Sequence, residues 1–309
     1  MPPANLIFGR TAAMSAPVQG ALLMTLAALG FSIMNILIRF AAEELHPFQI
    51  AFFRNLFALI FILPWLVRHG LAGLKTKRIG LHLWRSLVGL AAMLCWFTSI
   101  TILPLAEAVA LNFTVPLFAT AGAFFILGEV VGIRRWSATL AGFAGVLVIL
   151  QPGFIELTPA MAMPVIAAVF MAGSVLLVKT LSHTEDTIAM VLYMNLILTP
   201  LSLLPALFVW QWPSWPVVGY LLLIGFVASL AHLALTKSYS MADASAVIPF
   251  DYTRLPFVAL IAYFAFDELP GLSTWIGAGI IAASAIYIAR REAKVTRERT
   301  AAEAARALT

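Results

Sequence analysis

Long apolar runs, separated by short polar or proline-containing joints, follow one another along this chain from Val18 to Ala289. A helix needs roughly 18 or more such residues to cross a bilayer. Ten runs meet or approach that length: Val18–Phe40, Phe48–Val67, Leu83–Leu103, Ala106–Leu127, Trp136–Leu150, Pro159–Val178, Thr187–Trp210, Trp215–Leu235, Ala246–Phe266 and Leu272–Ala289. The pattern predicts an all-α integral membrane protein with ten transmembrane helices. It leaves no stretch long enough for a soluble domain. Long polar ends are predicted only as a cytoplasmic N-terminal segment, residues 1–17, and a basic tail, residues 291–309.

The runs also repeat. "LPLAEAVALNFTVPLFATAGAFFILGEVVGIRRW" begins at Leu103, and "YSMADASAVIPFDYTRLPFVALIAYFAFDELPGLSTW" begins at Tyr239. Both read Ala, acid, Ala, an apolar helix with a central proline, then an acid and a Trp. Glu107 matches Asp243, Pro116 matches Pro256, Glu129 matches Glu268, and Trp136 matches Trp275. Each copy falls on the fourth and fifth helices of a five-helix half, residues 18–151 and 159–290. Five is odd, so the two halves enter the membrane in opposite orientations, a common construction of secondary transporters.

Composition and charge agree. The chain is 62% hydrophobic and only 11% charged, against about 25% charged in soluble domains. The single cysteine, Cys95, lies in an apolar run and allows no intrachain disulfide. No cleavage site follows a short apolar run at the N-terminus, so the first run reads as a retained span. With the N-terminus in the cytoplasm, sixteen of the nineteen Lys and Arg fall on the cytoplasmic side, Arg85 among them. Only Arg39 falls outside, and Arg54 and Arg254 remain within the membrane. This is the positive-inside asymmetry, so the net charge of +5 sets topology and implies no nucleic-acid partner. The localisation expected is a bacterial-type inner membrane, multi-pass, with both termini cytoplasmic.

The paired motifs "AEA…P…GE…W" and "ADA…P…DE…W" on ten helices resemble the EamA-type families of the drug/metabolite transporter superfamily. The resemblance covers about Ala21 to Arg290. It implies a carrier of small organic metabolites, and within the superfamily it looks most like bacterial metabolite exporters, including the YddG type that exports aromatic amino acids. "Exporter" comes from the resemblance alone.

Several residues stand out against this apolar background. Asp251 and Arg254 lie three apart in the ninth run, where opposite charges on one helix face can meet. A charge at mid-bilayer costs a few kcal/mol and calls for a partner, a protein interior or water. The pair reads either as an intrahelical ion pair that lets the helix insert or as a substrate site or gate. Pro249 and Pro256 favour the second reading, because each removes a helical donor and frees a carbonyl, that of Tyr252 in the case of Pro256. Pro116 is their counterpart in the fourth run, and paired interruptions in matching helices point to a transporter's binding site. These three prolines are the expected hinges.

Arg54, with Asn55, sits in the second run. EamA-type proteins often carry an Arg at this point, which the resemblance implies has a shared role: a carboxylate anchor or a joint between helices. Asn112 is preferred over Thr114 as a cavity residue, because Thr can bond to its own helix backbone. Trp96 and Tyr193 can wall a pocket or simply pack, and Tyr252 lies beside the charged pair. Glu107 and Asp243 read as first-turn acids that complement a helix dipole. His232 reads as a core histidine, and Gly277 and Gly279 as packing positions within the fold or against another subunit.

No HExxH, GxSxG or P-loop occurs in the chain. An intramembrane enzyme, a resident metal or cofactor and direct drive by ATP are therefore not expected. What remains is a secondary transporter working by alternating access, monomeric or weakly oligomeric, on an amino-acid zwitterion with an aromatic side chain. A cationic drug or a nucleoside-like or S-adenosylmethionine-like metabolite is the alternative.

Overall fold

The computed structural model describes residues 16–69, 76–125, 132–151, 158–182, 187–241 and 250–284, with residues 185, 286, 287, 290 and 294. Among them every regular element is helical: α1 (Ala16–Ala41), α2 (Pro47–His69), α3 (Ile79–Ile102), α4 (Leu105–Asn112), α5 (Val115–Phe125), α6 (Ile133–Leu150), α7 (Pro159–Ser182), α8 (Thr187–Leu207), α9 (Trp215–Met241), α10 (Arg254–Phe266) and α11 (Leu272–Ser284). Six apolar stretches are long enough to cross a membrane, in α1, α3, α4–α5 together, α7, α8 and α9. Four shorter ones lie in α2, α6, α10 and α11. Each of the ten overlaps one of the ten apolar runs, and α10 covers only the second part of the ninth. Large apolar side chains face outward along them, Leu26, Phe125, Leu140 and Phe264 each more than half exposed, as lipid contact requires. The segments 1–17 and 291–309 lie almost wholly outside the described residues, as do Asp243, Glu129 and Pro249.

The fourth run is not one helix. α4 ends at Asn112, Phe113 and Thr114 form a turn, and α5 restarts at Val115. The ninth run breaks at Tyr252–Thr253, and α10 restarts at Arg254. Both breaks have the same cause. A proline inside a helix lacks the amide that its i−4 carbonyl needs, whereas in a first turn that amide has no helical partner to lose. Pro116 becomes the second residue of α5 and Pro256 the third of α10. The carbonyl of Tyr252 is consequently not left free: the Leu255 amide donates to it at 3.2 Å, in a tighter turn. This corrects the expectation that Pro256 would leave it open. A third proline sets the start of α4. Leu103, which precedes Pro104, is extended (φ −98°, ψ 159°), as the pyrrolidine ring demands of its neighbour.

Helix packing shows the repeat. α1 lies along α9 and α3 along α7, which are the same pairing with the two halves exchanged, while α2 packs on its own counterpart α8. α10 lies against α1 as α5 lies against α7. At the far edge α6 crosses α11 backbone to backbone. A Cβ added to Gly145 would lie 2.8 Å from the Gly277 carbonyl oxygen, so only glycine fits there. Gly277 therefore packs within the fold, as small residues do where membrane helices cross closely. Gly279 has nothing within 4 Å of an added Cβ.

Candidate functional site

The helix restart puts Arg254 at the first position of α10, where its guanidinium is ion-paired with Asp251 across the turn. The Arg254 Cζ also sits 5.1 Å from the centroid of the Phe31 ring on α1, inside cation–π range. On the same helix the Ser32 hydroxyl donates to the Arg254 carbonyl at 3.3 Å. The edge of His232, from α9, meets the Phe31 ring with centroids 5.0 Å apart. Tyr252 stands edge to face with Phe113, ring centroids 4.8 Å apart. The two helix breaks thus touch, one from each half, beside the charged pair.

Asn112, 5% exposed, directs its Nδ2 to the Met171 sulfur at 3.4 Å and so bridges α4 to α7 of the other half. Thr114 donates to the Leu111 carbonyl at 2.7 Å. That is the self-satisfying bond which makes it the weaker candidate.

Arg54 is 5% exposed, and its Nη1 donates to the Asn55 side chain at 2.8 Å. Asn55 in turn donates to Ser202 of α8 at 3.2 Å. Among the described residues no acid lies within ion-pair distance of Arg54, and its Nε has no partner. A buried guanidinium without a counter-charge costs several kcal/mol, and here the Asn55 side-chain oxygen is the acceptor it meets.

The charge count along the chain places Arg85 among the cytoplasmic topological charges. The structure shows that its side chain is buried at that end of α3 rather than exposed, its Nη1 donating to the Met190 carbonyl at 2.8 Å. The reason is the extent of α3, which begins at Ile79 rather than at Leu83 and carries Arg85 a turn deeper against α8. Tyr193 joins this cluster. Its ring lies 4.6 Å from that of His82, whose Nε2 is 3.7 Å from Glu185. Trp96, 6% exposed, packs within the apolar core. Pro256 is exposed. Pro116 is placed by its backbone at the start of α5.

Arg54 and Arg85 are buried on α2 and α3, and Arg254 is partly buried at the start of α10. Sequence reasoning misses Phe31, Ser32 and Asn35. The signal available is a pair of polar residues three apart, Ser32 and Asn35, on one face of an otherwise apolar run. The Asn35 Oδ1 is buried without a partner. Among the described residues no group of His, Cys, Asp and Glu is arranged to hold a metal ion.

The model of the EamA-like transporter family matches this chain twice, at residues 18–151 and 158–290. The riboflavin transporter of Vibrio cholerae serotype O1 is 38% identical over 91% of this chain and 96% of its own. The S-adenosylmethionine uptake transporter of Rickettsia prowazekii is 34% identical over 85% and 90%. The pseudopaline exporter CntI of Pseudomonas aeruginosa is 28% identical over 88% and 96%. One crystal structure of a protein at 17% identity superposes with a TM-score of 0.62 over 89% of this chain and 98% of its own, a likeness of fold.

Proposed function

Because the chain belongs to the EamA-like transporter family, we propose that it carries a flat, acceptor-bearing heteroaromatic metabolite of the flavin class, with riboflavin the first to test. The cargo crosses the bacterial inner membrane between the two halves of the fold.

One observation carries this reading over the alternative that the relatives' names offer. Arg54 and Arg85 have no acid partner among the described residues, and Arg254 has only Asp251. A region with excess positive charge repels a sulfonium cation such as S-adenosylmethionine. It suits an uncharged ring system whose carbonyl oxygens accept from guanidinium. Phe31, Phe113 and Tyr252 supply aromatic edges and faces beside Arg254. Export of aromatic amino acids, which the family resemblance implied, finds no support among the relatives above, whose names give riboflavin, S-adenosylmethionine and pseudopaline.

In this reading both termini are cytoplasmic, which puts Arg39, Glu44 and Ser214 outside and His82 and Glu185 inside. The substrate lies where the two helix breaks meet. The breaks at Phe113–Thr114 and Tyr252–Thr253 let each half rock around it. Facilitated diffusion or exchange down the substrate gradient is the mode taken for this carrier.

Counterflow in proteoliposomes tests the substrate. Vesicles preloaded with unlabelled riboflavin, S-adenosylmethionine or phenylalanine are given the labelled form of each. Accumulation of riboflavin alone is expected. Accumulation of S-adenosylmethionine or phenylalanine without riboflavin removes the flavin reading and leaves the carrier.

A further inference from the structure

At the end of the bundle where α1, α3 and the turn after α10 meet, a wide-open chamber of about 380 Å³ is lined by Arg39, Ala42, Glu43, Thr101, Phe266 and Glu268. Its size lies within the range of about 300–1,000 Å³ usual for small-molecule pockets. Both halves build it, the first four residues coming from one and the last two from the other. It is distinct from the region around Arg254, because Phe266 closes α10 at the opposite end from Arg254.

Arg39 and Glu268 are ion-paired across the chamber with side chains 23% and 19% exposed. Each also has a second partner. Glu268 Oε2 accepts the Leu105 amide at 2.9 Å, one of the first α4 amides that no helical carbonyl can satisfy. Arg39 Nη1 donates to the Leu103 carbonyl at 3.4 Å, and its Cζ lies 4.8 Å from the Phe266 ring centroid. When the ion pair opens, neither group is stranded. The tie between the halves at this end is therefore built to open cheaply. The Phe266 ring continues inward to Phe40 at 4.9 Å and on to Tyr220 at 5.8 Å, so aromatic surface leads from the chamber into the bundle.

We propose that this chamber is a second ligand site, at the outer mouth of the carrier. A flat heteroaromatic ring settles there on Phe266 and presents a carbonyl oxygen to Arg39, which leaves Glu268 and so removes one tie between the two halves, the Glu268–Leu105 bond remaining. The chemistry of the ligand rests on the flavin reading above; the chamber and the tie do not.

The test uses the full chain in proteoliposomes, with Cys95→Ser to remove the native thiol and Thr101→Cys to report on the chamber. Riboflavin counterflow is measured alongside. A membrane-impermeant thiol reagent added outside should label position 101, and riboflavin should slow that labelling. Glu268→Gln keeps an oxygen for the Leu105 amide but releases Arg39, and should speed labelling about threefold, the size expected of a modest ion pair. Glu268→Asp, which keeps a carboxylate for both Arg39 and the Leu105 amide, should hold the rate near the parent's, which a merely misfolded variant cannot explain.

Riboflavin counterflow without protection of position 101 overturns the second site and leaves the flavin reading intact. Loss of both overturns the two together. A labelling rate unchanged by Glu268→Gln overturns the tie.

Discussion

Phe113 and Tyr252 meet edge to face, centroids 4.8 Å apart and planes at 82°, where the broken helices of the two halves touch. Each ring sits in the two-residue turn that interrupts its helix. Movement at either break is therefore felt at the other. Replacing Phe113 by Leu keeps apolar volume and removes the edge-to-face contact, worth about 0.5–1.5 kcal/mol. The variant should fold, and its maximal counterflow rate should fall more than its KM rises. Equal loss in both would mean that the ring binds substrate rather than couples the breaks.

Arg254 and Asp251 can be told apart by neutralising them singly and together. If the pair only lets the helix insert, Arg254→Gln and Asp251→Asn each lower expression and stability, and the double variant recovers both. The site reading expects otherwise. Arg254→Gln should raise the KM for riboflavin about tenfold, the loss of roughly one charge-assisted hydrogen bond. Asp251→Asn added to it should restore stability but not affinity. Counterflow kinetics and thermal unfolding in detergent, run on all three, separate the outcomes.

Gly145 and Gly277 lock α6 against α11. Leu at position 145 would collide with the Gly277 carbonyl 2.8 Å from its Cβ, an overpacking error costing about 1–3 kcal/mol. The midpoint of thermal unfolding should drop by several degrees, about the shift such a cost produces. Gly279→Leu, with open space around its Cβ, should leave the midpoint unchanged, and fluorescence-detected size exclusion after heating reads both.

Glu44 ties the α1–α2 turn to the start of α9, accepting the Ser214 hydroxyl and the Ser214 amide, each at 2.6 Å. The hydroxyl first and the amide second hold its carboxyl below the ordinary value of 4.5. A depressed folded pKa means that the tie is fully present above about pH 4.5 and is lost as pH falls through the lowered value. The hydrogen-exchange protection factor of the Ser214 amide, measured against the intrinsic rate at each pH, should hold down to that range and then fall. Ser214→Ala should weaken the protection at every pH.

Local features of the chain are legible in the amino-acid sequence. Ten apolar runs, the doubled acid–proline–acid–Trp motif and the charged pair at Asp251 and Arg254 are of this kind, and the runs and the pair stand in the fold where the sequence places them. The backbone bond of Thr114 is legible too, because a threonine hydroxyl finds its acceptor within its own segment. Arg85 is not. Its distance from the end of the apolar run fits a surface charge, and only the extra turn of α3 and the Met190 carbonyl on α8 make a buried place for it. Nothing local pairs Tyr193 with His82, which reaches it from a different helix.

Composition and periodicity settle that this chain is a membrane protein of two related halves, because hydrocarbon leaves helices with internally satisfied backbones as the only form such runs can take. Pro116 and Pro256 stand where two of those helices restart, whereas Pro164, Pro200 and Pro205 lie inside unbroken helices. The prolines thus mark the candidate breaks, and packing selects among them. Which side chains face one another is a different matter. Phe31 under Arg254, Phe113 against Tyr252 and Arg39 against Glu268 join positions from about 140 to about 230 residues apart. Their meeting depends on the crossing of α1, α4 and α10. That crossing is set by how all the helices pack at once, and no local spacing in the chain encodes it.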